Sequence, residues 1–170
     1  MAIDGCRKTF AELAAETLPG DMERIRKEMQ SPLQLTEFCT SGRGVRTIVK
    51  RLRKQDDFSG CYVLLWKGKP FYVGISRRVV TRLRQHGKGT TQFDASLAYR
   101  MAKDKVQHHM TRAAAMKDLG FRRAFDGAKR LLIGSSVAFI EIQDPVELYL
   151  FEAYCAMELD THEWNTFRTH

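Results

Sequence analysis

The chain has few cysteines and prolines, the residues that form disulfides and restrict the backbone. Its 170 residues include four cysteines and four prolines. Cysteines that lack a CxxC pairing and fall in apolar segments indicate reduced core thiols, rather than a disulfide framework or a thiolate metal site. The four positions are Cys6, Cys39, Cys61 and Cys155. We therefore expect a protein of a reducing compartment, the cytoplasm.

Long apolar runs are also lacking. None approaches the ~20 residues that cross a bilayer, and residues 1–8 lack the apolar centre of a signal sequence. Hydrophobic residues make up 44% and charged residues 28% of the chain, as is typical of a globular protein in water. The length is that of one ordinary domain. We expect one elaborated cytoplasmic domain without a membrane partner.

Acidic residues are scarce in the middle of the chain. Residues 60–134 carry 16 basic and 4 acidic side chains, residues 135–170 carry 1 and 7, and the whole chain has a net charge of +8. Lysines and arginines that displace counterions from phosphates supply most of the non-specific affinity for nucleic acids. The charge alone leaves open a polyanion-binding surface or a solvated basic face without a partner.

The stretch 60–86 predicts a hairpin followed by a helix. Residues 61–66 are apolar strand formers, residues 67–70 supply a turn, and a second strand follows at 71–74.

The helix after this hairpin carries two polar side chains of interest. Ser76 is the expected N-cap, so the helix is predicted to begin at Arg77. Arg82 and His86 are four residues apart on it and project from one edge of the buried face. Both are candidate functional residues.

The remaining segments read as helical additions. Residues 1–59 predict a helical extension packed on the core, in which Pro19 ends the first helix. Residues 87–134 are predicted to form a helical insertion, in which Gly120 ends a helix.

The segment 121–125 contains two phenylalanines with two arginines between them. This composition suits either contact with a nucleic acid or a helix that buries both rings. The adjacent His108 and His109 are read as surface residues.

Near the C-terminus a strand at 137–142 precedes a strong helix start. Asp144 is the expected N-cap, with proline at the first helical position, and the helix is predicted to run to about Leu159. Glu152 falls in the middle of its apolar stripe. An ionised carboxylate there needs a partner, which is either a metal ion or Arg82 in a structural ion pair.

These residues resemble the motifs of the GIY-YIG nucleases. Gly60-Cys61-Tyr62 is similar to the first motif and Tyr72-Val73-Gly74 to the second. The family also has an arginine ten residues after the second tyrosine, a histidine or tyrosine one turn later, a late glutamate and a terminal asparagine. These match Arg82, His86, Glu152 and Asn165. Ile75 departs from the lysine of the repair-nuclease branch.

The resemblance implies an α/β fold with a small core of about three antiparallel strands flanked by helices. It covers residues 60–165, so the expected domains are an extension, 1–59, and a nuclease domain, 60–170. It also implies that Glu152 is the only protein ligand of a Mg²⁺ or Mn²⁺ ion, whose other positions go to water and phosphate. Catalysis is then expected of Tyr62, Tyr72, Arg82, His86, Glu152 and Asn165.

The roles implied for these residues are those of phosphodiester hydrolysis. Arg82 would place positive charge at the scissile phosphate, and Tyr62 would be the general base, relaying its proton through Tyr72 or His86. Which tyrosine is the base is left open. Asn165 would orient a tyrosine or the metal shell. Contacts with the nucleic acid are expected from Lys67, Lys69, Arg77, Arg78, Arg84, Arg122 and Arg123.

The expected function is that of a metal-dependent DNA endonuclease acting as a monomer or homodimer. Two alternatives stay open, namely a catalytically silent nucleic-acid-binding domain of the same fold and an RNA-cleaving nuclease or toxin. No base-reading or 2′-hydroxyl pattern separates DNA from RNA here.

Overall fold

The computed structural model describes residues 3–107 and 110–167, so the surface position expected for His108 and His109 lies outside the described residues. The chain forms two compact units. The first, called the sheet unit, comprises Met1–Leu33, Gln55–Val79 and Ser136–His170. The second, called the basic unit, comprises Gln34–Lys54 and Val80–Ser135. The predicted boundary between residues 59 and 60 stays a prediction.

The fold is α/β with a four-stranded antiparallel sheet in the order β1-β4-β2-β3. The strands are β1 Leu33–Gln34, β2 Gly60–Trp66, β3 Lys69–Ser76 and β4 Ser136–Glu141. The three predicted strands are all present, and the two-residue β1 adds a fourth that is too short for its sequence pattern to indicate.

A two-residue turn joins β2 to β3. Its residues, Lys67 and Gly68, have φ angles of +51° and +79°. Two successive left-handed residues match the twist of an antiparallel pair, and glycine adopts this conformation without strain. The turn sets a register in which Val63 faces Val73, and a bulge lies between Leu64 and Leu65.

One face of the sheet is covered by two helices, α2 and α9. Helix α9, Pro145–Glu158, begins as predicted, because the Asp144 carboxylate accepts hydrogen bonds from the amides of Val146 and Glu147. Helix α2, Leu18–Glu28, precedes it in the chain. Their apolar stripes meet the strand residues of odd number in β2 and β3. The buried cluster includes Met22, Ile25, Cys61, Val63, Val73, Leu148, Phe151 and Cys155.

Pro19 does not end the first helix, contrary to the prediction. The helical run continues from α1, Phe10–Glu12, through a π-helical segment, Leu13–Thr17, into α2. Pro19 lies in the first turn of α2. Proline lacks the amide hydrogen that an α-helix needs from its interior residues, and the change of hydrogen-bonding pattern just before it accommodates that loss.

The basic unit is helical. Its segments are α3 Thr36–Cys39, α4 Val45–Arg51, α5 Val79–Lys88 (whose first residue belongs to the sheet unit), α6 Ser96–Val106, α7 Arg112–Ala115 and α8 Leu119–Ile133.

Two predicted helix limits in this region are wrong. Helix α5 begins at Val79 rather than Arg77, because the Ser76 hydroxyl accepts a hydrogen bond from the Arg78 amide in the turn before it. Gly120 does not stop a helix but lies in the first turn of α8, where the carboxylate of Asp118 caps the Phe121 amide.

The phenylalanines of α8 belong to the core. Phe121 and Phe125 are 0% and 2% exposed, so the helix buries both rings and turns the intervening arginines outward. The alternative of nucleic-acid contact through these two rings is thereby excluded. Within the described residues, none of the helices has the length and apolar composition that crossing a bilayer requires.

Truncating Phe121 tests this core. Phe121→Ala is expected to lower the free energy of unfolding by ~3–5 kcal/mol, because it removes a fully buried ring and leaves a cavity. Leu119→Ala, two residues earlier on the same helix, is the control, since Leu119 is 76% exposed and its truncation should cost less than ~0.5 kcal/mol. Urea unfolding followed by circular dichroism measures both. Equal losses would contradict the assignment of α8 to the core.

Candidate functional site

The tyrosines of the two motifs lie on one face of the hairpin. Tyr62 is paired across the strands with Gly74, and Leu64 with Tyr72, so the two tyrosines are diagonal neighbours. Their ring centroids are 6.2 Å apart at an interplanar angle of 55°. Spacing in the sequence and register in the sheet therefore bring these two phenols together.

Gly74 is required by the ring of Tyr62. A Cβ at position 74 would lie 2.5 Å from both Cζ and Oη of Tyr62 and 3.0 Å from a ring carbon of Tyr72. Contacts this short do not occur between packed side chains, so the phenols rest on the bare backbone of β3. The glycine of the second motif thus has a packing role.

The two phenols differ in access to solvent. Tyr62 is 0% exposed and Tyr72 is 8% exposed. A general base must contact the water that it activates. Tyr72 is therefore the better placed of the two, and the role of general base expected for Tyr62 does not fit its buried position in this conformation.

Asn165 binds the outer side of the same strand. Its side-chain oxygen accepts a hydrogen bond from the Val73 amide at 2.8 Å, and its side-chain nitrogen donates one to the Val73 carbonyl at 2.7 Å. β3 is at the edge of the sheet, so Asn165 makes the two backbone hydrogen bonds that a further strand would make there. Asn165 therefore holds the backbone between Tyr72 and Gly74 rather than orienting a phenol directly.

Glu152 lies on the other side of the sheet. Successive side chains of a strand point to opposite faces, and α9 packs on the face of Val63 and Val73, opposite to the tyrosines. The pKa of Cys61, on this same face, is raised well above its usual value by burial and by Cys155, with the charge of Glu152 adding to the effect. Glu152 is thus near Cys61 on the face that α9 covers, whereas the side chains of Tyr62 and Tyr72 point to the other face.

Glu152 opens instead into a cavity of about 490 Å³ at the end of β3. The floor of the cavity is apolar and its rim is polar. It is lined by Ser59, Ile75, Ser76, Arg77, Gln143, Pro145, Leu148, Tyr149 and Glu152, all within the sheet unit. Ile75, which stands at the lysine position of the repair-nuclease branch, thus forms part of its apolar wall.

The donor set of this cavity suits a hard cation. The Glu152 carboxylate, the Gln143 side-chain oxygen and the hydroxyls of Ser59 and Ser76 are oxygen ligands, which Mg²⁺ and Mn²⁺ prefer. One carboxylate leaves most of a coordination shell to water and phosphate. Among residues 3–107 and 110–167 no group of three or more carboxylate, imidazole or thiol side chains is arranged to hold a metal ion.

Arg82 belongs to the basic unit, where its guanidinium forms two hydrogen bonds. It donates to the Asp94 carbonyl at 2.9 Å and to the Ser96 hydroxyl at 2.7 Å, which ties α5 to the start of α6. Arginine has five donor hydrogens, so this position does not exclude a phosphate contact. The role of Arg82 at the scissile phosphate stays a prediction.

His86 is fully buried in the same unit. Burial lowers its pKa to about 3, and the nearby charges of Arg82 and Arg100 act in the same direction. An imidazole with this pKa is neutral at pH 7 and is a weak proton acceptor. The expected proton relay through His86 therefore does not fit its surroundings, and His86 acts as a neutral core residue.

The cationic residues expected to contact nucleic acid fall into two groups. Arg84 is structural, because its guanidinium donates hydrogen bonds to the carbonyls of Phe38 and Arg43. Arg78 is exposed and pairs with Asp57 at 3.9 Å. The others are exposed on the turn, at the end of β3 and on α8, namely Lys67, Lys69, Arg77, Arg122 and Arg123.

The two units divide the charge unequally. The basic unit contains 18 basic and 5 acidic residues, a net charge of +13, whereas the sheet unit contains 10 and 15, a net charge of −5. The excess of cations is therefore confined to the helical unit, and the candidate carboxylate lies in the acidic one.

Reasoning from the sequence missed Gln143 and Tyr149 as cavity residues. Tyr149 precedes Glu152 by one turn of α9, so the two share a helix surface, and helical spacing alone was enough to indicate it. Gln143 precedes the N-cap, and no pattern distinguished it.

Comparisons with protein-family models, with curated proteins and with solved structures find no match to this chain.

The contact between Gly74 and Tyr62 is open to a direct test. Gly74→Ala is expected to lower the free energy of unfolding by ~1–3 kcal/mol, because the new methyl group overlaps the Tyr62 ring. Gly20→Ala is the control, since a Cβ there meets nothing within 4 Å and alanine favours a helix over glycine by ~1 kcal/mol. Urea unfolding should give changes of opposite sign. A neutral Gly74→Ala would contradict the close contact.

The lowered pKa of His86 gives the protein a specific acid sensitivity. The unfolded chain binds a proton at His86 below pH ~6.5, whereas the folded chain does so only near pH 3. Stability is therefore lost as the pH falls between these values, by up to ~1.4 kcal/mol per pH unit. His86→Gln should flatten the stability curve between pH 7 and pH 4 by this amount relative to the wild type.

Unfolding in urea at pH 7, 6, 5 and 4 measures this slope. Parallel curves for the wild type and His86→Gln would show that His86 is protonated equally in both states.

Proposed function

We propose that the chain is a metal-dependent endonuclease of the GIY-YIG type that hydrolyses phosphodiester bonds in DNA. The observation that carries the proposal is the arrangement of Tyr62, Tyr72 and Gly74, in which two motif phenols meet over a glycine that no other residue can replace without overlap. Asn165, the last residue of the family pattern, binds the backbone at the centre of the second motif.

Within the proposed site, Glu152 would hold the divalent ion together with oxygen donors of the cavity. When bound, such an ion supplies positive charge to the phosphate oxygens and the leaving oxygen. Arg77 is exposed and lines the same cavity, so it places a cation beside the bound nucleic acid. Ser59 and Ser76 add neutral donors that orient the phosphate.

Tyr72 is the proposed general base. It is the less buried of the two motif phenols, at 8% exposure, and it accepts a proton from the attacking water only as the phenolate. A free tyrosine has a pKa near ~10, so cations of the bound complex must favour its charged form. Tyr62 packs against it and fixes its ring.

A nucleic acid is the proposed class of substrate because the basic unit carries a net charge of +13, and DNA is proposed within that class from the resemblance to the nuclease family. Arg122 and Arg123 are exposed on α8 and are not needed for its core. Neutralising phosphates with such residues gives affinity that falls steeply with salt. A chain with one site cuts both strands of a duplex by two successive nicks or as a homodimer, so both states are compatible with the proposal.

One observation favours a second candidate function, a catalytically silent nucleic-acid-binding domain of the same fold. Hydrolysis requires Tyr72 and Glu152 to reach one phosphate, whereas the side chain of Tyr72 points away from the sheet face on which the helix of Glu152 packs. A domain that only binds nucleic acid needs contacts with phosphates. It does not need a carboxylate and a phenol to reach the same phosphate. Cleavage assays separate the two functions.

The test uses purified protein with supercoiled plasmid and with structured RNA, in Mg²⁺, Mn²⁺ or EDTA. We expect plasmid nicking that requires the metal, a loss of at least ~100-fold in Glu152→Gln, and a loss of ~10²–10⁴-fold in Tyr72→Phe, the range of general-base catalysis. Glu158→Gln is the matched control on α9, because Glu158 is exposed and pairs with Arg26.

Each outcome separates the candidates. Nicking that persists in Glu152→Gln would refute the metal ligand, and nicking that persists in Tyr72→Phe would refute the base. Salt-dependent binding of DNA without any cleavage would support the silent domain. Cleavage of RNA alone would identify a ribonuclease.

A further inference from the structure

We propose that the cavity beside Glu152 binds an unpaired base of the DNA substrate, stacked on Tyr149. This inference rests on the proposed function, because it names the substrate that the same site prefers, namely DNA with a base outside the helical stack. Tyr149 would be the residue that sets this preference.

Tyr149 is placed for stacking rather than for packing. Its side chain is on the rim of the cavity and is 66% exposed, although large aromatic residues are usually buried. It lies one turn before Glu152 on α9, so a base against its ring and a phosphate at Glu152 belong to neighbouring positions of one strand. Base–aromatic stacking is how proteins hold single strands without reading sequence.

The cavity has the composition of a base pocket. Its volume of about 490 Å³ exceeds that of a nucleobase, and Leu148, Ile75 and Pro145 give it an apolar floor that accepts the flat face of a base. Gln143 presents both a donor and an acceptor to the base edge. The hydroxyls of Ser59 and Ser76 complete the polar rim.

The positive charge of Arg77 favours binding of a DNA strand at the end of β3. Arg77 is exposed, lines the cavity and can contact a phosphate next to the bound base. A fully paired duplex presents no base to this pocket unless the base is flipped out, which breaks its stacking and pairing. DNA with a bulge or a single-stranded segment avoids that cost and should bind more tightly.

The test measures binding without cleavage, using the full chain in EDTA. The probes are oligonucleotides with one 2-aminopurine, placed either in a single-base bulge or in a fully paired duplex of the same length. We expect the wild type to bind the bulged probe at least ~10-fold more tightly and to quench its fluorescence by stacking. Tyr149→Ala should lose the quenching and the preference, whereas Tyr149→Phe should keep both.

Met157→Ala is the control for α9, because Met157 is 80% exposed on the same helix and does not line the cavity. Equal affinity for both probes, or quenching that survives Tyr149→Ala, would overturn the base pocket. Metal-dependent plasmid cleavage together with equal affinity for the two probes would support the endonuclease and reject the base pocket. Quenching and bulge preference without cleavage would support the pocket and reject the endonuclease.

Discussion

The antiparallel pairing of β2 with β3 is the constraint on which the rest of the sheet unit depends. Because side chains alternate along a strand, this one register sends Val63 and Val73 to the apolar face under α2 and α9 and sends Tyr62 and Tyr72 to the other. A slip of one residue would turn over the side chains of one strand, so that its tyrosine would replace its valine on the apolar face under α2 and α9. Gly74 stabilises the register further, since the Tyr62 ring fits only over a residue without a side chain.

This alternation also explains how chemistry is distributed over the sheet. The two phenol rings contact each other at a tilt on one face, and Glu152 lines a cavity on the face where α9 packs. β3 borders that cavity at its end, through Ile75 and Ser76, and Arg77 follows directly. A strand of nucleic acid that uses both sets of groups must therefore approach the end of β3. A nucleic-acid strand that is only bound can use the cavity without contacting either phenol. Cleavage requires both the cavity and a phenol, and this is the physical difference between the two candidate functions.

Local patterns predicted much of the fold, and tertiary packing accounts for the rest. The three longer strands and the cap at Asp144 follow from residue types within a few positions of each other. The effect of Pro19 was predicted wrongly because the π-helical turn before it accommodates its missing amide hydrogen, and that of Gly120 because it lies in the first turn of a helix capped by Asp118. The separation of Glu152 from the tyrosines was not predictable, since helical spacing indicates an apolar stripe but not the sheet face that it covers.

The attachment of Asn165 to Val73 has a consequence for self-association. An exposed edge strand offers unpaired amides and carbonyls to any second chain, and β3 would be such an edge. Asn165 occupies both groups at the middle of β3. A second copy of the chain therefore cannot extend the sheet by pairing with the backbone of Val73 unless Asn165 is first displaced.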